Sequence, residues 1–361
     1  MKHQEEYRDS GIARGLIDRI HALSRKEIRL MEVCGTHTVS IFRSGVRSVL
    51  PENIRLLSGP GCPVCVTAQR EIDAFIEICR LPDVIVATFG DLMRVPGTVS
   101  TLQKERADGR DIRMVYSTMD ALEIARKNPD KRVVFLGVGF ETTAPTIAAS
   151  ILSARQEHLD NYLAYSAHKL VPPALTALLN TEQCEVDGFI LPGHVSVIIG
   201  TLAYRPVFEQ YRIPCAVTGF EPADILQGIF CLVEQIEDGS PRLANVYGRA
   251  VTADGNQKAL ALLDEVFEPV DAVWRGIGTI PLSGLKIRDA FEAHDAEKQL
   301  SFTVPPSEEP RGCACGDILT GARTPPECPL YRTVCSPTDP VGPCMVSSEG
   351  TCAAYYRYHA E

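Results

Sequence analysis

Residues 132–157 read RVVFLGVGFETTAPTIAASILSARQE. An apolar run of strand length ends on glycine, passes through a short polar turn, and continues as a segment with apolar residues at helical spacing. That is a buried strand feeding a helix, the unit from which parallel sheets are built. The same sentence of sequence recurs along the chain. Candidate strands lie at 28–33, 54–58, 83–88 and 112–116, and again at 132–137, 162–166, 187–192 and 214–218. Helix-length segments separate them at 66–79, 119–128, 145–157, 172–180 and 222–236. Alternation of this kind predicts an α/β protein with parallel sheets covered on both faces. Two sets of four units predict two Rossmann-like domains, 28–129 and 130–236, meeting near Asn128–Asp130. A helix at about 9–24, within the segment 1–27, is expected to pack on this body. From 237 to 361 the pattern loosens. One helix at 253–267 is followed by Gly/Pro-rich stretches and a run of cysteines, so a third, less regular domain is expected.

The chain has 361 residues, a net charge of −10 and 45% hydrophobic residues. That length suits two or three domains at roughly 100–200 residues each. The acidic balance excludes a general affinity for nucleic acid. No apolar run reaches the roughly 18 residues that cross a bilayer, and no signal-peptide core is visible at the N-terminus, so the expected location is the cytoplasm. Thirteen cysteines then need a reason other than disulfides, which a reducing compartment does not sustain.

The cysteines divide into three groups. Cys79, Cys184, Cys215 and Cys231 sit in apolar stretches and read as core. Cys34, Cys62 and Cys65 sit in turns at strand ends. Cys313, Cys315, Cys328, Cys335, Cys344 and Cys352 crowd the C-terminus. Ligands of open parallel sheets bind beyond the carboxyl ends of the strands, and six of the strands end on chemically loaded turns: Cys34 to Thr38, Gly59 to Cys65, Val138 to Thr143, Ala167 to Lys169, Gly193 to Ser196, and Gly219 to Pro222. If the two sheets face each other, these turns line one cleft. Single Gly, Thr or His residues at such turns are most often caps; their joint occurrence is what marks a site.

Cys62 and Cys65 form a CPVC pair ahead of a helix, whose positive end would lower the thiol pKa of both. A thioredoxin-like redox pair, half of a zinc site and two structural thiols are the readings open to it. Cys34 also precedes a helix and should have thiolate character, suited to a soft metal; His37, three residues on, is a candidate ligand or hydrogen-bond donor. In the terminal group, six residues separate Cys328 from Cys335 and sixteen separate Cys335 from Cys352. This spacing suits a [4Fe–4S] cluster, which needs four thiolates, better than the tight knuckles of structural zinc.

Taken together the motifs resemble one family. CGTHT (34–38), GPGCPVC (59–65), GFETT (139–143), PGHVS (192–196), GFEP (219–222) and the terminal cysteines match, in order, those of the hydrogenase maturation factor HypD family. The resemblance implies two Rossmann-like domains, a third domain holding a [4Fe–4S] cluster, and a role as scaffold for the Fe(CN)2CO group of [NiFe]-hydrogenases. It implies a small HypC-type chaperone and a HypE-type cyanide donor as partners, and indirectly the hydrogenase large subunit; the isolated chain is expected to be a monomer. On this reading Cys34 binds the iron. The cluster ligands are Cys328, Cys335, Cys352 and one of Cys313 and Cys315, with Cys344 as the substitute. Thr36, Thr38, Glu141, Thr142, Thr143, His194, Ser196 and Glu221 face the Fe(CN)2CO group. Glu141 and Glu221 are either proton carriers or helix N-terminal carboxylates. The competing functions are an iron-sulfur-dependent dithiol/disulfide oxidoreductase and a zinc-stabilised interaction protein.

Overall fold

The computed structural model describes residues 10–181 and 184–359; position 9 of the expected first helix lies outside them. Among the described residues are eleven strands: β1 (Ile28–Glu32), β2 (Ile54–Ser58), β3 (Val84–Thr88), β4 (Ile112–Met114), β5 (Arg132–Gly137), β6 (Tyr162–Ser166), β7 (Gly188–Leu191), β8 (Cys215–Val217), β9 (Leu243–Asn245), β10 (Phe267–Trp274) and β11 (Gly278–Ile287). They form a five-stranded parallel sheet in the order β2-β1-β7-β8-β9, a four-stranded parallel sheet in the order β4-β3-β5-β6, and the antiparallel hairpin β10-β11.

The α/β class and the two parallel sheets are as expected, but the division of strands between them is not. A boundary at 128–130 would put β3 and β4 with β1 and β2. Instead β3 pairs with β5, Val84 opposite Arg132, and β1 pairs with β7, Leu30 opposite Gly188. The second sheet is therefore an insertion within the first, which opens with β1 and β2 and resumes at β7. The segment 237–361 does not form one unit either. β9 closes the edge of the first sheet, and the helix Gln257–Val266 joins the hairpin on the outer core of the second sheet, where Leu263, Phe267 and Ile287 pack with Ile147 and Ile151. The hairpin is a correction to the irregular structure expected there: Gly276 and Gly278 turn it, with φ of +73° and +99°.

Strands buried on both faces read as continuous apolar runs because each alternate side chain meets a different layer. On β5, Val133 and Phe135 pack under the helices Thr118–Lys127 and Ala144–Gln156, while Val134 and Leu136 face inward. On β1, Ile28 and Leu30 pack against the helices Ser10–Leu23 and Pro222–Asp238, while Met31 faces inward. The inward residues of both sheets share one core with Cys315, Cys344 and Cys352. The helix Thr351–Tyr358 closes over the helix Gly35–Arg43, its Tyr355 ring 4.6 Å from that of Phe42. No helix of the described residues is long and apolar enough to cross a membrane.

Candidate metal and redox site

Strand order reverses between β1 and β7 in the first sheet, which is where open α/β sheets form their binding crevice. Cys34 stands at that point. It caps the helix Gly35–Arg43 from an extended backbone, φ −150° and ψ 123°. Because Glu32 pairs with Ser58, the two turns that leave β1 and β2 run side by side. Gly35 N–H donates to the Gly61 carbonyl at 2.9 Å. A Cβ on Gly61 would lie 2.2 Å from the Cys34 nitrogen, so no other residue fits without moving backbone.

Glu349, from the segment between Cys344 and Cys352, covers this junction. Thr36 Oγ1 donates to Glu349 Oε1 at 2.7 Å. A Cβ on Gly35 would lie 2.6 Å from Glu349 Cβ. Burial pushes the Cys34 thiol up to about 11; the His37 amide opposes the rise and the Glu349 charge adds to it. The expected thiolate character is thus overturned by burial. A metal ion would reverse the balance, since coordination deprotonates a thiol.

His37 is fully buried, and its Nε2 lies 2.9 Å from both the Gly219 carbonyl and Thr218 Oγ1. Burial pushes its pKa down to about 4, so the ring is neutral at physiological pH. With Nε2–H donating to Gly219, Nδ1 keeps its lone pair and has no hydrogen-bond partner among the described residues. The ring ties the CGTHT helix to the GFEP turn, while the backbone amide is what faces Cys34. Phe220 stacks between His37 and His194, with ring centroids 4.6 and 3.9 Å away. Burial lowers the His194 pKa and Glu349 opposes it.

The remaining expected residues separate by role. Glu221 stands at the N-cap of the helix Pro222–Asp238, its backbone N–H donating to Asp224 Oδ2 at 3.3 Å. Thr38 donates to the Cys34 carbonyl at 3.4 Å and Thr143 to the Phe140 carbonyl at 3.3 Å; Thr142, beside Thr143, is half-buried. Ser196 donates to the Pro192 carbonyl at 2.7 Å and meets the Tyr204 hydroxyl at 3.0 Å. Glu141 Oε1 accepts from the Val171 N–H at 2.9 Å, Oε2 has no hydrogen-bond partner among the described residues, and burial raises its pKa to about 7. The charges of Glu141 and Cys34 both act on the buried Tyr204 hydroxyl, which burial already holds well above its usual value.

Cys62 caps the one-turn helix Pro63–Val66, and the Cys65 N–H points at its sulfur at 3.3 Å. Burial and the neighbouring Cys65 push the Cys62 thiol well up. Burial also acts against the Cys65 thiolate, but thiol hydrogen bonds from Cys344 and Cys62 and the charge of Arg275 outweigh it and hold this pKa below its usual value. Contrary to the expectation from sequence, the helix end therefore does not activate both sulfurs; the pair is split. Cys344 reaches Cys65 on one side and Cys315 and Cys352 on the other, with Cys315 at 2.8 Å between sulfurs. All six terminal cysteines line one pocket with Ile318, Leu330 and Met345. That donor set fits a thiolate-ligated cluster. Among the described residues no three His, Cys, Asp or Glu side chains converge to hold a single metal ion. Of the four cysteines read as core, Cys79 and Cys215 are buried, and Cys184 and Cys231 half-buried.

The family model for HypD, described as the hydrogenase formation hypA family, matches residues 11–359. The chain belongs to the HypD family. It is 46% identical to the hydrogenase maturation factor HypD of Azotobacter vinelandii over 99% of this chain and 97% of the other. It is 45% identical to that of Rhodobacter capsulatus, over 99% and 98%, and 44% identical to that of Cupriavidus necator, over 99% and 97%. As in those proteins, its role is hydrogenase maturation. Within this HypD chain, sequence reasoning missed Glu349, Tyr204 and Arg275. Only Glu349 carried a signal, a carboxylate between two of the clustered cysteines.

Proposed function

We propose that this chain is a redox-active scaffold on which the Fe(CN)2CO group of [NiFe]-hydrogenases is assembled. The observation that carries the reading is the adjacency of three groups of cysteines: the Cys34 backbone packs on Gly61 of the GPGC turn, and the Cys65 thiol of that turn meets Cys344 of the six-cysteine pocket. Cys34 binds the iron substrate as thiolate, and a HypC-type chaperone supplies a second ligand, so that the iron lies at their interface. A HypE-type protein donates the cyanide groups, and the finished group passes to the hydrogenase large subunit.

The terminal pocket holds a [4Fe–4S] cluster through Cys328, Cys335, Cys352 and one of Cys313 and Cys315, with Cys344 as the alternative. Bound there, the cluster supplies electrons one at a time. Cys62 and Cys65 store two: their disulfide takes two electrons and two protons and becomes two thiols. Cys344 is the sulfur that joins the pocket to this pair. Thr36 positions Glu349 beside Cys34, and His194 is the imidazole on the same side as that carboxylate. His37, Ser196, Thr38 and Glu221 hold the turns in place, and Glu141, with a pKa near neutrality, is the proton carrier.

Infrared spectroscopy of the protein purified anaerobically with its maturation partners tests the proposal. Cyanide and carbonyl stretching bands present in the wild type and lost in Cys34→Ala are expected. Their absence from a wild-type protein with an intact iron-sulfur chromophore would overturn the scaffold and favour a dithiol oxidoreductase.

A further inference from the structure

The β10-β11 hairpin carries none of the six loaded turns, yet its root and its tip lie in different cores. Phe267, Leu285 and Ile287 pack in the outer core of the second sheet, while Trp274 and Ile280 share the inner core with Val66 and Cys315. Each edge of the hairpin is paired to one of the two stretches of chain that cross between the sheets. On the β10 edge Trp274 forms an antiparallel bridge with Thr67, and the Arg275 N–H donates to the Val66 carbonyl at 2.9 Å. The Arg275 side chain adds two bonds there, Nε to the Thr67 carbonyl at 2.9 Å and Nη1 to Gln69 Oε1 at 2.7 Å. These partners follow directly on Cys65. On the β11 edge Gly284 bridges Lys169, and the Leu170 N–H donates to the Ser283 carbonyl at 2.8 Å. At the tip, Gly276 packs backbone to backbone on Gly316, where a Cβ would lie 2.2 Å from the Gly316 Cα.

The stretch on the β11 edge carries the GFETT turn. The Ala167 N–H donates to the Gly137 carbonyl at 2.8 Å, the Lys169 N–H to the Gly139 carbonyl at 3.0 Å, and the Val171 N–H to Glu141 Oε1 at 2.9 Å. Trp274 joins this turn to the other edge. It is fully buried, and its ring stacks on that of Phe140, with centroids 6.0 Å apart and planes inclined by 23°. Its Nε1 donates to Ser283 Oγ at 2.8 Å. One residue thus holds Thr67 by its backbone, Phe140 by its ring and, through Ser283, Leu170. The pair Lys169–Glu71 spans the same gap, but through two long side chains, whereas the hairpin spans it through backbone and a ring with only two side-chain torsions.

We infer that Trp274 is a positioning residue of the assembly site: with the hairpin around it, it fixes the GFETT turn at a set distance from the turn that carries Cys62 and Cys65. The inference rests on the reading of those two turns as parts of one scaffold. A displacement of about 1 Å within such a site can cost about a hundredfold in rate, and groups held on paired backbone are placed more closely than groups on free loops. The two edges should therefore behave as one unit, so that loosening either frees the turn on the other.

Hydrogen–deuterium exchange of the full-length protein, purified anaerobically with its cluster, reads local opening segment by segment. Trp274→Leu removes the stack on Phe140 and the bond to Ser283 but keeps the backbone bridge to Thr67. Exchange across residues 139–143 and 167–171 is expected to rise by about tenfold or more. The helices Ser10–Leu23 and Pro222–Asp238, which pack in a separate core, should stay within about threefold of wild type. Trp274→Phe keeps a ring on Phe140 and should also stay within about threefold across the two segments. Arg275→Met loosens only the β10 edge and serves where Trp274→Leu does not fold; the same two segments, on the far edge, should open. Faster exchange confined to residues 66–71 in Arg275→Met would show two independent contacts and overturn the inference. So would an equal rise in the two control helices, the mark of general instability, or a Trp274→Phe variant as open as Trp274→Leu. Infrared spectra of the same variants, purified with the maturation partners, connect the spacing to assembly. Weaker cyanide and carbonyl bands with the iron-sulfur absorption intact are expected, and full bands over opened turns would overturn the role in assembly. A wild-type protein without bands would overturn the scaffold reading itself, while the spacing stands or falls on exchange.

Discussion

Lys169 follows β6 and has a side chain only 1% exposed, while Glu71, its partner at 2.6 Å, is 20% exposed. The same carboxylate accepts from the Ala68 N–H at 2.9 Å and so starts the helix Gln69–Arg80. Burial raises the Glu71 pKa and Lys169 opposes that rise. Lys169→Met keeps the aliphatic stem and removes the charge, leaving a carboxylate with little solvent. Breaking a buried pair costs about 3–5 kcal/mol; the partial exposure of Glu71 places this one near the lower end, about 3 kcal/mol. The cost depends on pH. Without Lys169 the folded pKa of Glu71 moves further above the unfolded value of 4.5. Stability from such a group is present below the unfolded pKa and is lost as pH rises through the folded one. The deficit should be small at pH 5 and complete at pH 8. Trp274 is the sole tryptophan and gives the readout: it is buried, donates to Ser283 Oγ at 2.8 Å, and lies in the hairpin that bridges Lys169 through Gly284. Urea midpoints followed by its fluorescence should separate wild type from Lys169→Met, and Lys169→Met/Glu71→Gln should lose less than the two single variants together. A deficit below about 1 kcal/mol at pH 8, against the 3–5 expected of a broken buried pair, would refute the reasoning. So would a deficit larger at pH 5 than at pH 8.

Three further outcomes are expected. Glu141→Gln should gain stability relative to wild type as pH rises from 4.5 to about 7, by up to about 3 kcal/mol at roughly 1.4 kcal/mol per pKa unit, measured as the difference of unfolding midpoints across that range. Gly61→Ala puts a Cβ on the Cys34 backbone and should cost about 1–3 kcal/mol as an overpacked site, whereas Gly15→Ala, on the exposed face of the helix Ser10–Leu23 with nothing within 4 Å, should stabilise by up to about 1 kcal/mol; thermal unfolding compares them. Cys328→Ser, Cys335→Ser and Cys352→Ser should each lose iron and visible absorption on metal analysis, while Cys79→Ser, on a helix outside the pocket, should retain both.

The strands were legible because a segment buried on both faces has no polar alternation to hide it: β3 is Val-Ile-Val-Ala-Thr and is buried throughout. Their pairing was not. Parallel neighbours are joined by crossovers, and nothing in the crossover after β6 says that β7 will return to β1 across 155 residues of chain. The loaded turns were legible for the same reason as the strands, since each follows an apolar run. Which turns meet depends on register, as with Glu32 opposite Ser58. Helix-end arguments misjudged the thiols of Cys34 and Cys62 because they weigh one local dipole, while burial, set by Glu349 and the terminal segment, lies more than 280 residues away in sequence. Arg275 was invisible because a buried arginine in a Gly-rich turn looks like any exposed one until its partners are known.

Burial also weighs between the two redox readings. A free-standing reductase of protein disulfides must offer one sulfur to an incoming disulfide, and attack requires access as well as thiolate. Here Cys62 is 3% exposed and Cys65 not at all. The sulfur with the lowered pKa is the innermost one, turned toward Cys344 and away from solvent, while Cys62 carries the raised pKa. A disulfide formed there exchanges more readily with a thiol it already touches than with that of a visiting protein. The one-turn helix that carries it also links the first sheet to the insertion, clamped on one side by Gly61 against Cys34 and on the other by Arg275. An internal store of electrons beside a metal-binding thiol needs that immobility, and a substrate-facing reductase does not.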